Sequence, residues 1–347
     1  MAGGPGTPEL AAAVSNAGGL GSLGAAYWSP AEIRESIRCT RALTSRPFAV
    51  NLFAGGYAAE VNADPAPMVQ LLSGIHETLG LPPPLIPALP PDPFREQLEA
   101  VLEARPAVFS FTFGIPGREV FTLLRSHGIA TLGTATTAGE ARLLMEAGVD
   151  AVVAQGAEAG SHRGTFAAPF EAAMVPTLDL VREIAAFAPV IACGGIMDGR
   201  DLATMLAHGA MAAQIGTAFL TCPESGASPA YKGALLRAAS ERAAGDATLI
   251  TRAFSGRPAR GLANAFTGLL TGNENAILPY PLQNFLTRPM RAAAAAQGNA
   301  EFLSLWAGKG TARLRQMPAG ELVVKLMEES ELGGPIWGDR QARNPIA

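Results

Sequence analysis

EARLLMEAGVDAVVAQG (140–156), VREIAAFAPVIACGG (181–195) and DLATMLAHGAMAAQIGT (201–217) are three versions of one unit. Each holds an amphipathic run of helical period, a break at glycine, alanine or proline, and a short apolar run ending in glycine or a small polar residue. A continuous apolar run bounded in this way suits a strand buried on both faces, and the run before it suits the helix that covers one face. Strand, helix, strand units join parallel strands through right-handed crossovers, and eight of them close a barrel.

Working outward, further β-rich runs lie at 20–25, 48–53, 107–113 and 130–134, and with 151–155, 190–193 and 212–220 they make seven. Helical marks separate most of them: Thr7-Pro8-Glu9 places a cap before proline at the first helical position, and the run 137–147 starts on Thr137 and is closed by Gly148. The chain opens with MAGGPGTPEL, which reads as a loop feeding a helix. The fold expected is therefore an α/β (β/α)8 TIM barrel whose first strand is missing at the N-terminus, either because its true start lies upstream or because the chain is truncated; the alternative is a seven-stranded open sheet. A barrel with an open seam would leave two strand edges unpaired. The segment 57–93 contains LPPPLIPALPPDP, whose prolines cannot continue a helix or sit in a central strand, so it is an excursion over the mouth or flank. The barrel is assigned to 1–224. A mainly helical C-terminal region is assigned to 225–347, with helices expected at 229–244, 287–296 and 319–329.

The 347 residues exceed the roughly 250 of a plain α/β barrel, which leaves room for such additions. Hydrophobic residues make up 48% and charged residues 16%, as buried strands require. A net charge of −4 with scattered charges gives no reason to expect a nucleic-acid partner. Cys39, Cys193 and Cys222 are far apart and lack CxxC spacing, so neither a disulfide framework nor a zinc knuckle is indicated and a reducing cytoplasm is expected. No signal peptide is evident, and no apolar run approaches the roughly 18 to 20 residues of a membrane span.

In such a barrel the site forms at the C-terminal ends of the strands. The last three of these ends carry AQGAEAGSHRGTF, ACGGIMDGRD and QIGTAF. Gly194, Gly195 and Gly216 remove side chains where a backbone must approach a ligand, and the loops after strands seven and eight are the usual phosphate site of the fold. The plainer alternative is that these glycines only close tight turns. His162, within Gly160-Ser161-His162-Arg163-Gly164, reads as lying on a flexible loop with no apolar neighbour to bury it, where an imidazole can move protons near neutral pH. His76 and His208 read as solvated or capping, and His127 as a partner for a helix C-terminus. Without HExxH, a histidine pair at helical spacing or GxSxG, neither a metal hydrolase nor a serine triad has its parts, and no metal site is expected. Cys193 beside the glycine pair reads as a small core-to-loop residue.

AQGAEAGSHRGTF, PVIACGGIMDGRDLATMLAHGA and AAQIGTAFL together closely resemble the nitronate monooxygenases, formerly called 2-nitropropane dioxygenases. The similarity runs from MAGGPGTPELAAAVSNAGGLG through FAVNLF to LTRPMRAAAA and LWAGKG. The resemblance implies an FMN-containing barrel that oxidises alkyl nitronates, propionate 3-nitronate among them, with dioxygen through a flavin semiquinone, giving a carbonyl product plus nitrite or nitrate. It implies that Gly194, Gly195, Gly216 and Thr217 hold the FMN phosphate, that Gln155 and Asn51 face the isoalloxazine ring or ribityl chain, and that Met1, Ala2 and Gly3 support the ring. Gly160 falls in the cofactor loop, and Thr134 is a further candidate at a position where other branches carry lysine. His162 matches the active-site histidine, and Arg163 beside it is structural. In the family MAGG follows an apolar strand, whereas this sequence begins at that strand's end. The partners implied are a small nitronate or nitroalkane and dioxygen, with the chain acting as a monomer or homodimer. Two rivals remain: a flavin-type enoyl-acyl-carrier-protein reductase, set apart by nicotinamide oxidation, and a non-catalytic flavin-binding barrel.

Overall fold

The computed structural model describes residues 3–57, 62–241 and 247–330. The three repeats fold as read. Thr137 caps the helix Ala138–Ala147 by accepting the Glu140 amide, Gly148 ends it at φ 99°, and the chain enters the strand at 151–155. Asp198 and Asp201 close a reciprocal capping box on the helix Gly199–Ala207, so two of its orphan amides are satisfied before it returns to the sheet.

In chain order the strands are β1 (Gly21–Gly24), β2 (Phe48–Phe53), β3 (Val108–Thr112), β4 (Ala130–Ala135), β5 (Ala151–Gln155), β6 (Ser161–His162), β7 (Val190–Cys193), β8 (Ala212–Gln214), β9 (Thr248–Thr251) and β10 (Ala259–Leu262). Seven of them form one parallel sheet in the order β1-β2-β3-β4-β5-β7-β8, the curl of a TIM barrel. Buried Leu23, Val50, Phe109, Phe111, Val152 and Val190 pack its strands against the surrounding helices. Among the described residues β1 and β8 have no strand between them. Leu10 and Val14 from the first helix and Val323 and Leu326 from the last described one line the interior along with residues of both edge strands.

Three expectations need correction. The last barrel strand, expected over 212–220, stops at Gln214, and Thr217–Phe219 turn as a 3-10 helix that buries Phe219. The ladder ends two residues before Gly216, and the apolar residues after that glycine reach a core as a turn. Beside its helices the C-terminal region also holds two strands: β9 and β10 pair antiparallel, and β10 also pairs with β6, so His162 lies opposite Ala259 in a three-stranded sheet separate from the barrel. The helix expected over 287–296 begins earlier, at Leu282, just after Pro281, and accommodates Pro289 within it. The helix expected over 229–244 is Pro229–Ser240, and the rest of that span lies mostly outside the described residues.

The 57–93 excursion contains the helix Ala66–Thr78. Its Met68, Leu72 and Ile75 share one core with Phe254, Phe266, Leu282 and Met290 of the C-terminal region. The two interruptions of the barrel rhythm are therefore packed together. No helix among the described residues is long and apolar enough to cross a membrane.

Candidate active site

Gly3, Asn51, Thr134, Gln155, Gly160, His162, Gly194, Gly195, Gly216 and Thr217 all line one cavity of about 1040 Å³. Met1 and Ala2 lie outside the described residues.

At one end are the glycine loops. Gly194 and Gly195 have φ 131° and 71°, which other residues rarely adopt. A Cβ on Gly194 would lie 2.7 Å from the Thr177 hydroxyl. The fold itself therefore demands glycine there, as the tight-turn alternative held. The backbone donors are a separate matter: the amides of Gly194, Gly195, Ile196 and Gly216 donate no hydrogen bond within the described residues. Half-buried N–H groups left unpaired at the strand ends are what an oxyanion satisfies. Thr217 Oγ1 accepts the Gly308 amide at 3.0 Å, leaving its own proton to donate. Cys193 beside them has its thiol pushed up to about 11 by burial, so it stays protonated and is no nucleophile.

Sequence reasoning missed what holds these loops. The segment 308–313 sews three strand ends together: Gly308 to Thr217, the Lys309 amide to the Glu158 carbonyl at 3.0 Å, and Arg313 to the Gly195 carbonyl at 3.0 Å. Arg313 also pairs with Asp198 and Asp201 at 3.0 and 2.8 Å. A Cβ on Gly160 would lie 2.5 Å from the Gly308 nitrogen, so glycine at 160 serves this close approach.

At the other end stands His162. It is not on a flexible, solvated loop as expected; it is on β6, with Phe53, Phe113 and Trp306 around it at ring-centre distances of 6.3, 5.9 and 5.4 Å. Its Nε2 is 2.7 Å from Ser255 Oγ, and its carbonyl accepts the Gln155 amide at 2.9 Å. The other end of Gln155 accepts the Gly164 amide at 2.7 Å, so this side chain clamps the segment from both sides. Arg163, only 2% exposed, donates to the carbonyls of Gly156, Gln155 and Ala173 and is structural. Burial, then Arg257 and Arg291, push the His162 imidazole down to about 3, so it is neutral at physiological pH rather than titrating there. Its Nδ1 has no partner among the described residues and is the ring nitrogen left for a ligand.

Three described non-glycine residues have positive φ, and two of them, Ser161 (68°) and Phe113 (77°), flank this imidazole. Strain of this kind persists where the surroundings over-determine a functional geometry. Of the missed residues, only Phe53 carried a signal. It lies two positions beyond Asn51 on one strand and so shares its face, where Asn51 donates to Ser110 Oγ at 2.9 Å. Thr134 is 3.3 Å from Thr112 across the same wall. The other histidines play other parts. His127 and His208 bond the Leu123 and Thr204 carbonyls at helix ends, while His76 is buried against the Pro82 carbonyl and not solvated.

A family profile described as nitronate monooxygenase matches residues 1–329. A nitronate monooxygenase of Pseudomonas aeruginosa is 44% identical over 334 residues, covering 93% of this chain and 92% of that protein. A probable nitronate monooxygenase of Staphylococcus haemolyticus is 37% identical over 93% of this chain and 90% of its own length. Among solved structures, a nitroalkane oxidase from Streptomyces ansochromogenes superposes with a TM-score of 0.87 at 41% identity, covering 95% of this chain and 94% of that one. FabK from Thermotoga maritima superposes less well, at 0.73 and 28% identity over 95% and 90%. The chain is an oxidoreductase and belongs to the nitronate monooxygenase family.

Proposed function

We propose that the chain binds FMN along its cavity, phosphate on the amides of Gly194, Gly195 and Gly216 with the Thr217 hydroxyl, and oxidises alkyl nitronates such as propionate 3-nitronate with dioxygen to a carbonyl product plus nitrite or nitrate. The observation that carries this reading is the pairing, in one cavity, of unpaired backbone donors at the barrel's phosphate loops with a neutral, aromatic-walled imidazole. The donor set fits a phosphate, and the cavity has the size for a flavin nucleotide and a small substrate. Gly3, Asn51, Thr134, Gln155 and Gly160 would line its ring and ribityl chain.

A bound flavin would supply the electron acceptor for the nitronate and the place where dioxygen is reduced. The rest is the chain's work. Phe53, Phe113 and Trp306 exclude water and hold the imidazole plane, while Ser255 fixes its far nitrogen. The Ser255 hydroxyl can itself donate to the Arg257 carbonyl at 3.3 Å, which permits the tautomer with Nε2–H toward serine and a lone pair on Nδ1. That lone pair accepts the α-proton of a neutral nitroalkane; in the other tautomer Nδ1–H donates to a nitronate oxygen. Accepting that proton makes an imidazolium whose charge is offset by the nitronate anion formed beside it, whereas donating to a nitronate oxygen leaves the imidazole neutral.

The purified protein should be yellow, consume oxygen with propionate 3-nitronate and leave NADH and NADPH unoxidised. Rapid nicotinamide turnover with an enoyl thioester would overturn the reading in favour of a reductase. Bound flavin without oxygen uptake on any nitronate would reduce the chain to a binding barrel.

A further inference from the structure

Thr137-Ala138-Gly139-Glu140 opens the helix Ala138–Ala147 with the spelling of a capping box, in which an acid three residues after the cap reaches back to the cap's own amide. Ser29 with Glu32, and Asp198 with Asp201, close that box elsewhere in the chain. Glu140 does not. The Thr137 hydroxyl takes the Glu140 amide at 3.1 Å, but the Glu140 carboxylate passes the cap by and bridges two other segments. Its Oε2 accepts the amide and hydroxyl of Thr136, just beyond β4, at 2.8 and 2.7 Å. Its Oε1 accepts the amides of Phe166 and Ala167 at 2.6 and 2.8 Å, on the stretch that leaves His162.

Two other acids make the difference plain. Asp150 grips the amide and hydroxyl of Thr131, and Glu158 grips those of Thr177, but neither carboxylate reaches a second segment. Glu140 is also the buried one of the three, at 1% exposed. No lysine or arginine pairs with it among the described residues, so four N–H and O–H donors alone offset the cost of taking a carboxylate out of water. A buried carboxylate held this way has one geometry. Thr165 adds to the seam, its hydroxyl 2.9 Å from that of Thr136.

The segment 161–167 needs such a hold, because Ser161 at φ 68° keeps its strained backbone only if its surroundings leave no alternative. Gln155 clamps His162 and Gly164 from the barrel side, and Arg163 fastens the middle to three carbonyls. The outgoing end is left to Glu140. We infer that Glu140 is a positioning residue, whose carboxylate pins Phe166 and Ala167 to the end of β4 and thereby sets the aim of the His162 imidazole at the α-carbon of a nitroalkane. It does not line the cavity and touches neither substrate nor cofactor. The role rests on the reaction proposed above.

The test uses flavin-loaded wild type, E140Q and T136V. Glutamine is nearly isosteric, but its amide nitrogen must face either the Thr136 amide or those of Phe166 and Ala167, and two N–H groups cannot bond each other. Oxygen uptake is measured with nitroethane, with α-deuterated nitroethane and with ethyl nitronate, and backbone hydrogen exchange is followed by mass spectrometry. In E140Q, kcat on nitroethane should fall about ten- to a hundred-fold with KM little changed, as expected for a misaimed base. Ethyl nitronate, whose proton is already gone, should lose only a few-fold. The deuterium isotope effect on kcat should grow, because proton removal becomes slower relative to the other steps. Exchange should quicken at 161–167 and not at 194–217. T136V should move every reading the same way by less, since Glu140 keeps its bonds to Phe166 and Ala167. Equal losses on both substrates with an unchanged isotope effect would overturn the role, and so would wild-type turnover of nitroethane in folded E140Q. Should E140Q fail to fold, T136V decides by the same readings. If wild type consumes oxygen with neither substrate, the reaction is wrong; the clamp then stands on faster exchange at 161–167 in the variants and falls on unchanged exchange.

Discussion

The two ends of the cavity are built by different means. The glycine end takes its donors locally, as backbone amides of strand ends that run straight into turns, and only its bracing arrives from the segment 308–313. The imidazole end is assembled over distance: β6 is held by β10, Ser255 is 93 residues from His162, and Trp306 arrives from the C-terminal region. The first end can hold a ligand with side chains removed. The second does chemistry only if several remote side chains are in register.

This contrast sets where substitutions should act. The largest effect belongs to His162→Asn, which keeps a polar side chain but no base: turnover of neutral nitroalkanes should fall by about 10² to 10⁴-fold, the span usual for a positioned acid or base, while flavin stays bound. Gly194→Ala should do the reverse. Its Cβ would crowd Thr177 at φ 131°, a strain of about 1–3 kcal/mol, so flavin dissociation should quicken by roughly tenfold or more. Catalysis in the fraction that retains flavin should change little. Equal damage to both properties by either variant would erase the distinction between the two ends.

Smaller effects sharpen it. Ser255→Ala frees the far nitrogen of the imidazole, so kcat on nitroalkanes should fall about five- to tenfold, the worth of one buried hydrogen bond, with the flavin spectrum unchanged. Arg313→Ala loosens the tie on Gly195; because the guanidinium is half exposed, its loss should weaken flavin binding only about two- to fivefold and leave KM for nitronate untouched. The pH effect falls on stability and not on turnover. His162 is held neutral when folded and regains its ordinary value of 6.5 when unfolded, so the unfolded state takes up its proton first as pH falls. Its contribution is present above 6.5 and is lost as pH drops toward about 3, so the melting temperature of wild type should decline more steeply over that window than that of His162→Asn.

The same contrast explains what could be read in advance. Thr137, Gly148 and the apolar run 151–155 announce a helix, its end and a strand because each signal acts within a few residues. The loops at 194–195 and 216–217 were legible for the same reason. His162 was singled out, but its setting was misread. Its neighbours in sequence are small and polar, whereas Phe53, Phe113 and Trp306 reach it only through tertiary pairing. The segment 248–262 gave weak local signals, and its strands form because β6 offers an edge for them.

At the centre of this account is a flavin nucleotide anchored through its phosphate by the backbone around Gly194, Gly195 and Gly216. Measuring dissociation constants of the flavin-free protein for FMN and for riboflavin tests it most directly. Several charged hydrogen bonds predict FMN binding at least about a hundredfold tighter. Equal affinity for the two would contradict it.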